Sequence, residues 1–397
     1  MHLYSWIMIH FVKQIGLWGI LCFLCACQSG RQQEAGSVVP TDGLKTIAVQ
    51  VEEGMFEHLG DYLYADSYVC LDTVPLLGDI EKVEIKDDRI YVLDAFNKIV
   101  CYDMQGKALF VLDAQGGGPG EYASVTDFTV NAGRQELLVY DRDKKVLLFY
   151  HPHTGQFLRS EPFSKPVPGA LAAWQDTYFY DSRSHDSYPD DTSLHYSLLV
   201  SDDGTTVTRR YFPHVEAESA WRFTVTAHPF SYNDSVLYYC KNYDYIVYAL
   251  SADSVWGAFD IRLPNPLPAS KVEDKADERD LVKSAWSMGI EQVFVCDGLL
   301  YFTFTKDGFW QSALYDLSRG KQIYCGRRMS DKEGKSVPLF RMIDGVYRQR
   351  FWGILSPDAL AYEQEHRPAG LPDGLKNYHP ETGNHVIAFY KVRKAGQ

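Results

Sequence analysis

The chain has 397 residues, of which 46% are hydrophobic and 23% are charged, a composition ordinary for a globular protein with a sizeable core. These values exclude a disordered chain, a collagen and a coiled coil. The formal net charge of -13 argues against nucleic acid as a partner, because phosphate binding depends on clustered Lys and Arg. Aromatic residues make up 14% of the chain, and β-strands favour them.

The N-terminus has the pattern of a secretory signal. Lys13 precedes an uncharged apolar run from Ile15 to Leu24. A basic residue, a short apolar segment and small residues before a cleavage point are typical of such signals, and the run is too short for a stable membrane anchor. We therefore predict a signal peptide over residues 1–26. The apolar stretch that precedes Met8 favours Met8 over Met1 as the start of translation.

The signal ends in Leu24-Cys25-Ala26-Cys27, which resembles the lipobox of bacterial lipoproteins. In that family the last Cys is lipidated and becomes the new N-terminus. The resemblance implies that Cys27 carries acyl chains such as palmitate and that residues 27–43 form a flexible tether. It also implies a membrane-anchored location in the cell envelope, with the outer membrane expected. The alternatives are an uncleaved helix and a plain secretory signal.

Five cysteines follow the lipidation site, and none forms a C-x-x-C pair. Because five is an odd number and each lies beside apolar or aromatic residues, we predict buried free thiols rather than a disulfide framework. The five are Cys70, Cys101, Cys240, Cys296 and Cys325.

From about residue 80 onward, short runs of β-branched and aromatic residues alternate with turns that contain Asp, Asn or Gly. The first set of strands is Val83–Ile85, Ile90–Asp94, Ile99–Asp103 and Ala108–Leu112. The second is Phe128–Val130, Glu136–Tyr140, Val146–Tyr150 and Phe157–Leu158. The third includes Tyr178–Tyr180, Leu198–Val200 and Val207–Phe212. The fourth includes Phe223–Val225, Val236–Cys240, Ile246–Leu250 and Val255–Ile261. The fifth includes Val293–Val295, Leu300–Phe304, Ser312–Tyr315 and Ile323–Tyr324.

Four-stranded units that recur every 40–50 residues or so predict a β-propeller. A sixth set, Leu339–Arg341, Gln349–Ile354 and Val386–Val392, lacks an outer strand, which Tyr68–Leu71 could supply to close the ring. Two segments interrupt the pattern and are predicted to be helical, Lys271–Ser287 in an insert at about 264–288 and Ser356–Glu365. The prediction is an all-β fold over residues 44–397, a six-bladed β-propeller of four-stranded antiparallel blades with a short helical insert.

Between the first two sets lies a glycine-rich loop, Gln115-Gly116-Gly117-Gly118-Pro119-Gly120-Glu121-Tyr122, followed by Asp127-Phe128. It resembles the interblade loop of NHL-type propellers and of the six-bladed β-propeller lipoproteins of Bacteroidota. Ser67–Thr73 and Asn384–Lys391 resemble the opening and closing strands of that family. The resemblance implies a structural role for Gly116, Gly118, Pro119, Gly120, Glu121, Tyr122 and Asp127. The alternative, a phosphate cradle, needs a following helix, whereas a strand follows here and Glu121 adds negative charge.

An acidic loop offers weak metal candidates in His185, Asp186, Asp190 and Asp191, with His195 nearby. Carboxylates and imidazoles could together hold Ca²⁺ or a transition metal, although no metal-ligand spacing is met. The simpler interpretation is a solvated loop, and no cofactor is predicted.

Two tryptophans, Trp286 and Trp310, are candidates for ligand contact, since aromatic faces stack on sugar rings. We expect a non-catalytic recognition module for a glycan, a peptide or a partner envelope protein. One alternative is a metal-dependent propeller enzyme, lactonase-like or a lyase, with its site in the central channel. Another is a structural partner of an outer-membrane transport complex, docked through residues 264–288.

Overall fold

The structure is a computed structural model that describes residues 39–51, 59–182, 188–214, 228–268, 285–327, 337, 339–366 and 371–393. The predicted signal peptide, Cys27 and most of the predicted tether lie outside these residues. The described chain contains six mostly antiparallel sheets built on four strands each. The first strands of neighbouring sheets contact one another around a central channel, so the sheets are the blades of a ring. The predicted six-bladed β-propeller is confirmed.

Two strands near the N-terminus pair with strands that come much later in the sequence. These are β1 (Lys45–Ala48) and β2 (Leu63–Cys70).

Blade 1 consists of β3 (Ile80–Lys86), β4 (Arg89–Asp94), β5 (Ile99–Asp103) and β6 (Ala108–Leu112). Blade 2 consists of β7 (Asp127–Asn131), β8 (Glu136–Asp141), β9 (Val146–Tyr150) and β10 (Phe157–Pro162). Blade 3 consists of β11 (Pro168–Trp174), β12 (Thr177–Ser182), β13 (Tyr196–Ser201) and β14 (Val207–Pro213).

The remaining blades use the two early strands. Blade 4 consists of β15 (Phe230–Tyr232), β16 (Leu237–Cys240), β17 (Ile246–Leu250) and β18 (Val255–Arg262), and β1 adds to β18 in parallel. Blade 5 consists of β19 (Ser287–Cys296), β20 (Leu299–Lys306), β21 (Phe309–Asp316) and β22 (Lys321–Gly326). Blade 6 consists of β23 (Gly345–Val346), β24 (Phe351–Leu355) and β25 (Val386–Val392), with β2 as its outer strand. The predicted closure of the ring by an N-terminal strand is thus confirmed.

The helix α1 (Pro357–His366) lies between β24 and β25, where the sequence predicted one. Ser356 caps it, because its hydroxyl oxygen accepts the Ala359 amide at 3.2 Å. Single 3-10 turns occur at Leu59–Asp61, Thr192–Leu194 and Asp373–Leu375.

In the described part of the chain the core consists of six apolar clusters, one between each pair of adjacent blades. Tyrosine supplies many of the largest buried side chains, and several hydroxyls find carbonyl partners. Tyr150, for example, donates to the Gly120 carbonyl at 2.8 Å and Tyr180 donates to that of Gly204. The aromatic surplus of the sequence is therefore largely interblade packing, since a large ring fills space while its hydroxyl reaches the loop above.

Several inner strands differ from the prediction. The inner strand of blade 3, β11, was not predicted. In blade 4 the inner strand is β15 rather than Phe223–Val225, which lies outside the described residues. In blade 6 it is β23 rather than Leu339–Arg341. Most of the predicted helix Lys271–Ser287 also lies outside the described residues, and Ser287 begins β19 instead of ending a helix.

The five cysteines are unpaired in the structure. Four are buried as predicted, and burial raises the pKa of each of these thiols. Cys70 departs from the prediction, because it lies at the end of the outer strand β2 and is exposed.

Candidate binding site at the mouth of the channel

The two ends of the ring are chemically different. Because the strands of a blade alternate in direction, all interblade connections and all turns between second and third strands lie at one end, here called the mouth face. The connections from β14 to β15, β18 to β19, β22 to β23 and β24 to β25 begin and end at this face. The turns between first and second strands lie at the opposite face.

At the opposite face a turn of blade 6 crosses the end of the channel. Arg348 and Gln349, both with positive φ, donate their backbone amides to the Asp234 carboxylate of blade 4. The Arg348 guanidinium also reaches Asp88 of blade 1 at 2.6 Å. A tight turn with two residues at positive φ suits a hairpin, so β23 can have only two residues and the turn still holds this position. The channel is thereby obstructed at the end away from the mouth face.

Side chains of neighbouring blades satisfy the backbone edges that face the channel. Asp127 accepts the Leu171 amide at 2.6 Å, and Glu84 accepts the Val130 amide at 3.0 Å. Asn233 accepts the Val295 amide at 2.6 Å in the same way. An inner strand has an unpaired edge, and a buried backbone amide needs a partner. These polar residues therefore link the inner strands of blades 1 and 2, of blades 2 and 3, and of blades 4 and 5.

Lys82 is the centre of a buried ion cluster that joins three blades. Its ammonium lies 2.9 Å from Asp127 and 3.2 Å from Glu84, and it donates to the carbonyls of Phe128 (2.6 Å) and Leu171 (3.1 Å). Burial lowers the pKa of Lys82, but the two carboxylates outweigh that effect and raise it overall. The ammonium has all its hydrogens engaged, so the cluster holds blades 1, 2 and 3 together.

Lys86 lies deeper on the same strand and has less support. It stands 3.8 Å from the ring centre of Tyr232 and 5.3 Å from that of Trp174, and reaches the Ala173 carbonyl at 3.4 Å. Burial lowers its pKa to about 8, an effect that Glu84 and Asp87 partly oppose. Two aromatic faces stabilise the charge less than a direct ion pair would, which explains why Lys82 and Lys86 differ.

A cavity of about 240 Å³ lies within the channel, between blades 1, 4, 5 and 6. Its wall includes the Asp344 carboxyl, which accepts the Ile354 amide at 2.8 Å. Burial raises the pKa of Asp344 to about 6. His228 stands where the chain enters β15, and burial lowers its pKa. The remaining lining is largely apolar and includes Phe230, Phe294, Trp352 and Trp310.

A larger groove of about 880 Å³ opens on the mouth face between blades 5 and 6. One wall comes from β20 and β21 and the other from α1 and the residues that precede β23. Trp310 and Met342 line both this groove and the channel cavity, so the two spaces meet at these side chains. Trp310 is 55% exposed, which is unusual for a tryptophan and leaves its ring free to contact a ligand.

Comparison with known proteins places this architecture in a family. A family described as "Domain of unknown function (DUF4934)" matches residues 61–391, most of the chain. The chain belongs to this family. No curated protein matches it.

One solved structure shows the same fold as this DUF4934 protein. A Bacteroides fragilis protein named as exported has a TM-score of 0.70 at 14% identity, and the match covers 88% of this chain and 100% of that one. A DUF4221 family member from Bacteroides vulgatus has a TM-score of 0.49 at 11% identity, with 85% and 100% covered. At 14% identity the likeness to the Bacteroides fragilis protein shows the fold alone.

The glycine-rich loop of the DUF4934 protein connects β6 to β7. The Glu121 carboxylate folds back to accept the Gly118 amide at 2.6 Å, and Lys144 donates to the carbonyls of Gly116 and Glu121. Gly120 has a φ of +75°, and a Cβ there would lie 2.6 Å from Phe157. Tyr122 is fully buried and hydrogen-bonded within the loop region, and Asp127 belongs to the Lys82 cluster. A carboxylate of the chain thus occupies the amide that a phosphate would need.

The weak metal candidates are not brought together in the described chain. His185 and Asp186 lie outside the described residues. Asp191 accepts the Ser193 hydroxyl and forms an ion pair with Lys165 at 3.0 Å, and these two contacts lower the pKa of Asp191. Asp190 is exposed. Within the residues that the structure describes, no three His, Cys, Asp or Glu side chains meet at one point that could hold a metal.

Of the two tryptophans predicted from sequence to contact a ligand, one lies at the site. Trp310 does, as described above. Trp286 is half-buried just before β19 and does not line the described groove or cavity. Among the described helices, none combines the length and apolar character needed to cross a membrane.

Sequence reasoning missed the polar channel residues Lys82, Glu84 and Tyr232. The sequence signal for Lys82 and Glu84 is the alternation Lys82-Val83-Glu84-Ile85-Lys86, which resembles that of any half-exposed strand. Only the ring geometry turns the polar side of that strand inward.

Proposed function

We propose that this protein is an exported, lipid-anchored recognition module of the cell envelope, which binds a glycan, a peptide or a partner envelope protein at the mouth face without reacting with it. The lipobox-like Leu24-Cys25-Ala26-Cys27 supports the anchor, with Cys27 as the lipidated residue. The name of the Bacteroides fragilis neighbour, an exported protein, supports the envelope location.

One observation carries the binding proposal: Trp310 stands exposed where the groove meets the channel cavity. Small-molecule sites are concave, largely preformed and lined by aromatic residues with a few polar groups. The groove has this character, and the obstructed opposite face leaves the mouth face as the side from which the cavity is approached.

The test is thermal unfolding of the full-length protein with a panel of glycans, peptides and envelope extracts. A ligand that binds the folded form alone raises the midpoint by mass action. We expect at least one component to raise the midpoint of the wild type, and Trp310→Ala to abolish that shift. Trp256→Ala is the matched control, because Trp256 is also exposed, at 38%, but lies on β18 of blade 4. A ligand shift that survives Trp310→Ala would refute the site.

The same scan distinguishes an enzyme from a binding module. A midpoint that falls with chelator and is restored by Ca²⁺ or Zn²⁺ would contradict the proposal and favour a metal-dependent site. A partner from an outer-membrane transport complex would instead appear as a co-purifying protein after mild detergent extraction.

A further inference from the structure

We infer that the groove between blades 5 and 6 is a saccharide site, selective for an oligosaccharide without net charge. This inference rests on the proposed function and assigns its ligand class. It is drawn from the chemistry of the two groove walls, which belong to different elements.

The blade 5 wall combines an aromatic face with hydroxyls. In the β20–β21 register Thr303 is paired with Ser312 and Thr305 with Trp310, and directly opposed residues project from the same side of a sheet. Thr303 is 1% exposed, lines the groove, and its hydroxyl has no hydrogen-bond partner among the described residues. A buried hydroxyl without a partner is unfavourable, so a ligand that supplies one would gain affinity there.

The opposite wall is one side of α1. Asp358, Ala359, Tyr362 and Glu363 line the groove, and their spacing places them on one helical face. Tyr362 is 57% exposed, and its ring is stacked on His366 with 4.1 Å between ring centroids, which orients the aromatic face. Trp310 and Tyr362 therefore present exposed aromatic surface from both sides of the groove.

These groups match a sugar ring better than a peptide. A pyranose has a C–H face that stacks on an aromatic ring and a rim of hydroxyls that both donate and accept. The groove offers carboxylates as acceptors, guanidiniums as donors and hydroxyls as both. Its volume of about 880 Å³ falls within the range of roughly 300–1,000 Å³ typical of small-molecule sites.

The charges of the described groove lining are balanced, which selects against an ionic ligand. Among the described residues the lining contains two guanidiniums, Arg327 and Arg341, and two carboxylates, Asp358 and Glu363. Arg341 lies 3.5 Å from Glu363, and Arg327 is placed over the Phe309 ring at 3.7 Å. Because neither sign is in excess, an acidic or a basic ligand gains no electrostatic preference, whereas uncharged hydroxyls can bond to both kinds of group.

The experiment is isothermal titration calorimetry of the full-length protein with neutral trisaccharides of glucose, mannose, xylose or galactose. Trigalacturonate and a tripeptide serve as comparators. We expect at least one neutral trisaccharide to bind and to change tryptophan fluorescence. Trp310→Ala should weaken this binding at least tenfold and remove the fluorescence change. Thr303→Val should weaken it several-fold with an unfolding midpoint that is unchanged or higher, and Trp256→Ala should have no effect.

The outcomes separate this inference from the proposed function. If no neutral trisaccharide binds but the tripeptide or trigalacturonate does, and Trp310→Ala abolishes that binding, the saccharide assignment is wrong and the recognition site stands. If a trisaccharide binds equally well to Trp310→Ala, the groove is not its site. If Trp310→Ala and wild type behave alike with every ligand that binds, both the inference and the proposed site fail. The absence of binding by any neutral trisaccharide overturns the inference.

Discussion

At the scale of single residues, the Lys82 ammonium holds three blades together at the channel. Its side chain is 14% exposed, and those of Glu84 and Asp127 are 0% and 10% exposed. Removing one partner of a buried ion pair leaves an uncompensated charge, which is more costly than the pair is favourable. Here one ammonium compensates two carboxylates and two carbonyls.

We expect Lys82→Met to lower the free energy of unfolding by about 3–5 kcal/mol, the range for breaking a buried ion pair. Urea unfolding of wild type and variant measures the difference. Lys107→Met is the control, because Lys107 is exposed in the β5–β6 turn and should change the free energy by less than about 0.5 kcal/mol. Equal small losses for both variants would show that the cluster contributes little to stability.

Glu291 gives the protein a pH-dependent stability. It is 3% exposed, accepts the Thr305 hydroxyl at 2.6 Å, and burial raises its pKa to about 7 from an ordinary value of 4.5. Between these two values the folded state holds a proton that the unfolded chain has released. Stability from this group is therefore full below about pH 4.5 and is lost as the pH rises through 7.

We expect Glu291→Gln to remove this component. A shift of this size corresponds to about 3 kcal/mol, at about 1.4 kcal/mol for each pKa unit. The wild type should lose more of its unfolding free energy than the variant between pH 5 and pH 8, as measured by urea titrations at both values. Parallel losses in the two proteins would mean that Glu291 is not protonated in the folded state.

At the scale of elements, alternation in the sequence identified the middle strands better than the inner ones. β4, β5, β8 and β9 are bounded by Asp, Asn or Gly turns and are rich in Val, Leu, Ile and Tyr, so they were predicted nearly to the residue. β11 contains Gly169 and three Ala residues, which have low strand propensity, and β23 has two residues. Such strands form because they pair and pack with residues of their own and neighbouring blades, and these long-range contacts cannot be read from a single sequence.

The residues of the candidate site, like the strands, could be predicted only where the local sequence marks them. Trp310 could be chosen from sequence because it lies beside Gly308 and Phe309. Thr303 and Tyr362 could not be connected with it, since the fifty residues 307–356 separate strand β20 from helix α1. The groove exists because blade 5 is followed around the ring by blade 6, whose connection between β24 and β25 contains the helix.

At the scale of the whole molecule, the ring is closed by a strand from the opposite end of the chain. β2 pairs with β25 from Leu63 opposite Val392 to Cys70 opposite Val386. Asp66 of β2 adds ion pairs to Lys391 at 2.7 Å and to Arg350 at 3.2 Å. Without β2, blade 6 would expose an unpaired strand edge and Leu63 would leave the apolar cluster between blades 5 and 6.

Three chain lengths test this closure. A chain that starts at residue 39 retains β1 and β2 and should be monomeric with a single unfolding transition. A start at residue 59 removes β1, whose Ile47 is fully buried against blade 4, and should remain monomeric but unfold at a lower midpoint. A start at residue 71 removes β2 as well and should aggregate, because an open edge beside exposed apolar surface pairs with other chains. Size-exclusion chromatography and thermal unfolding distinguish the three, and a monomeric chain from residue 71 with an unchanged midpoint would mean that the ring is stable without its closing strand.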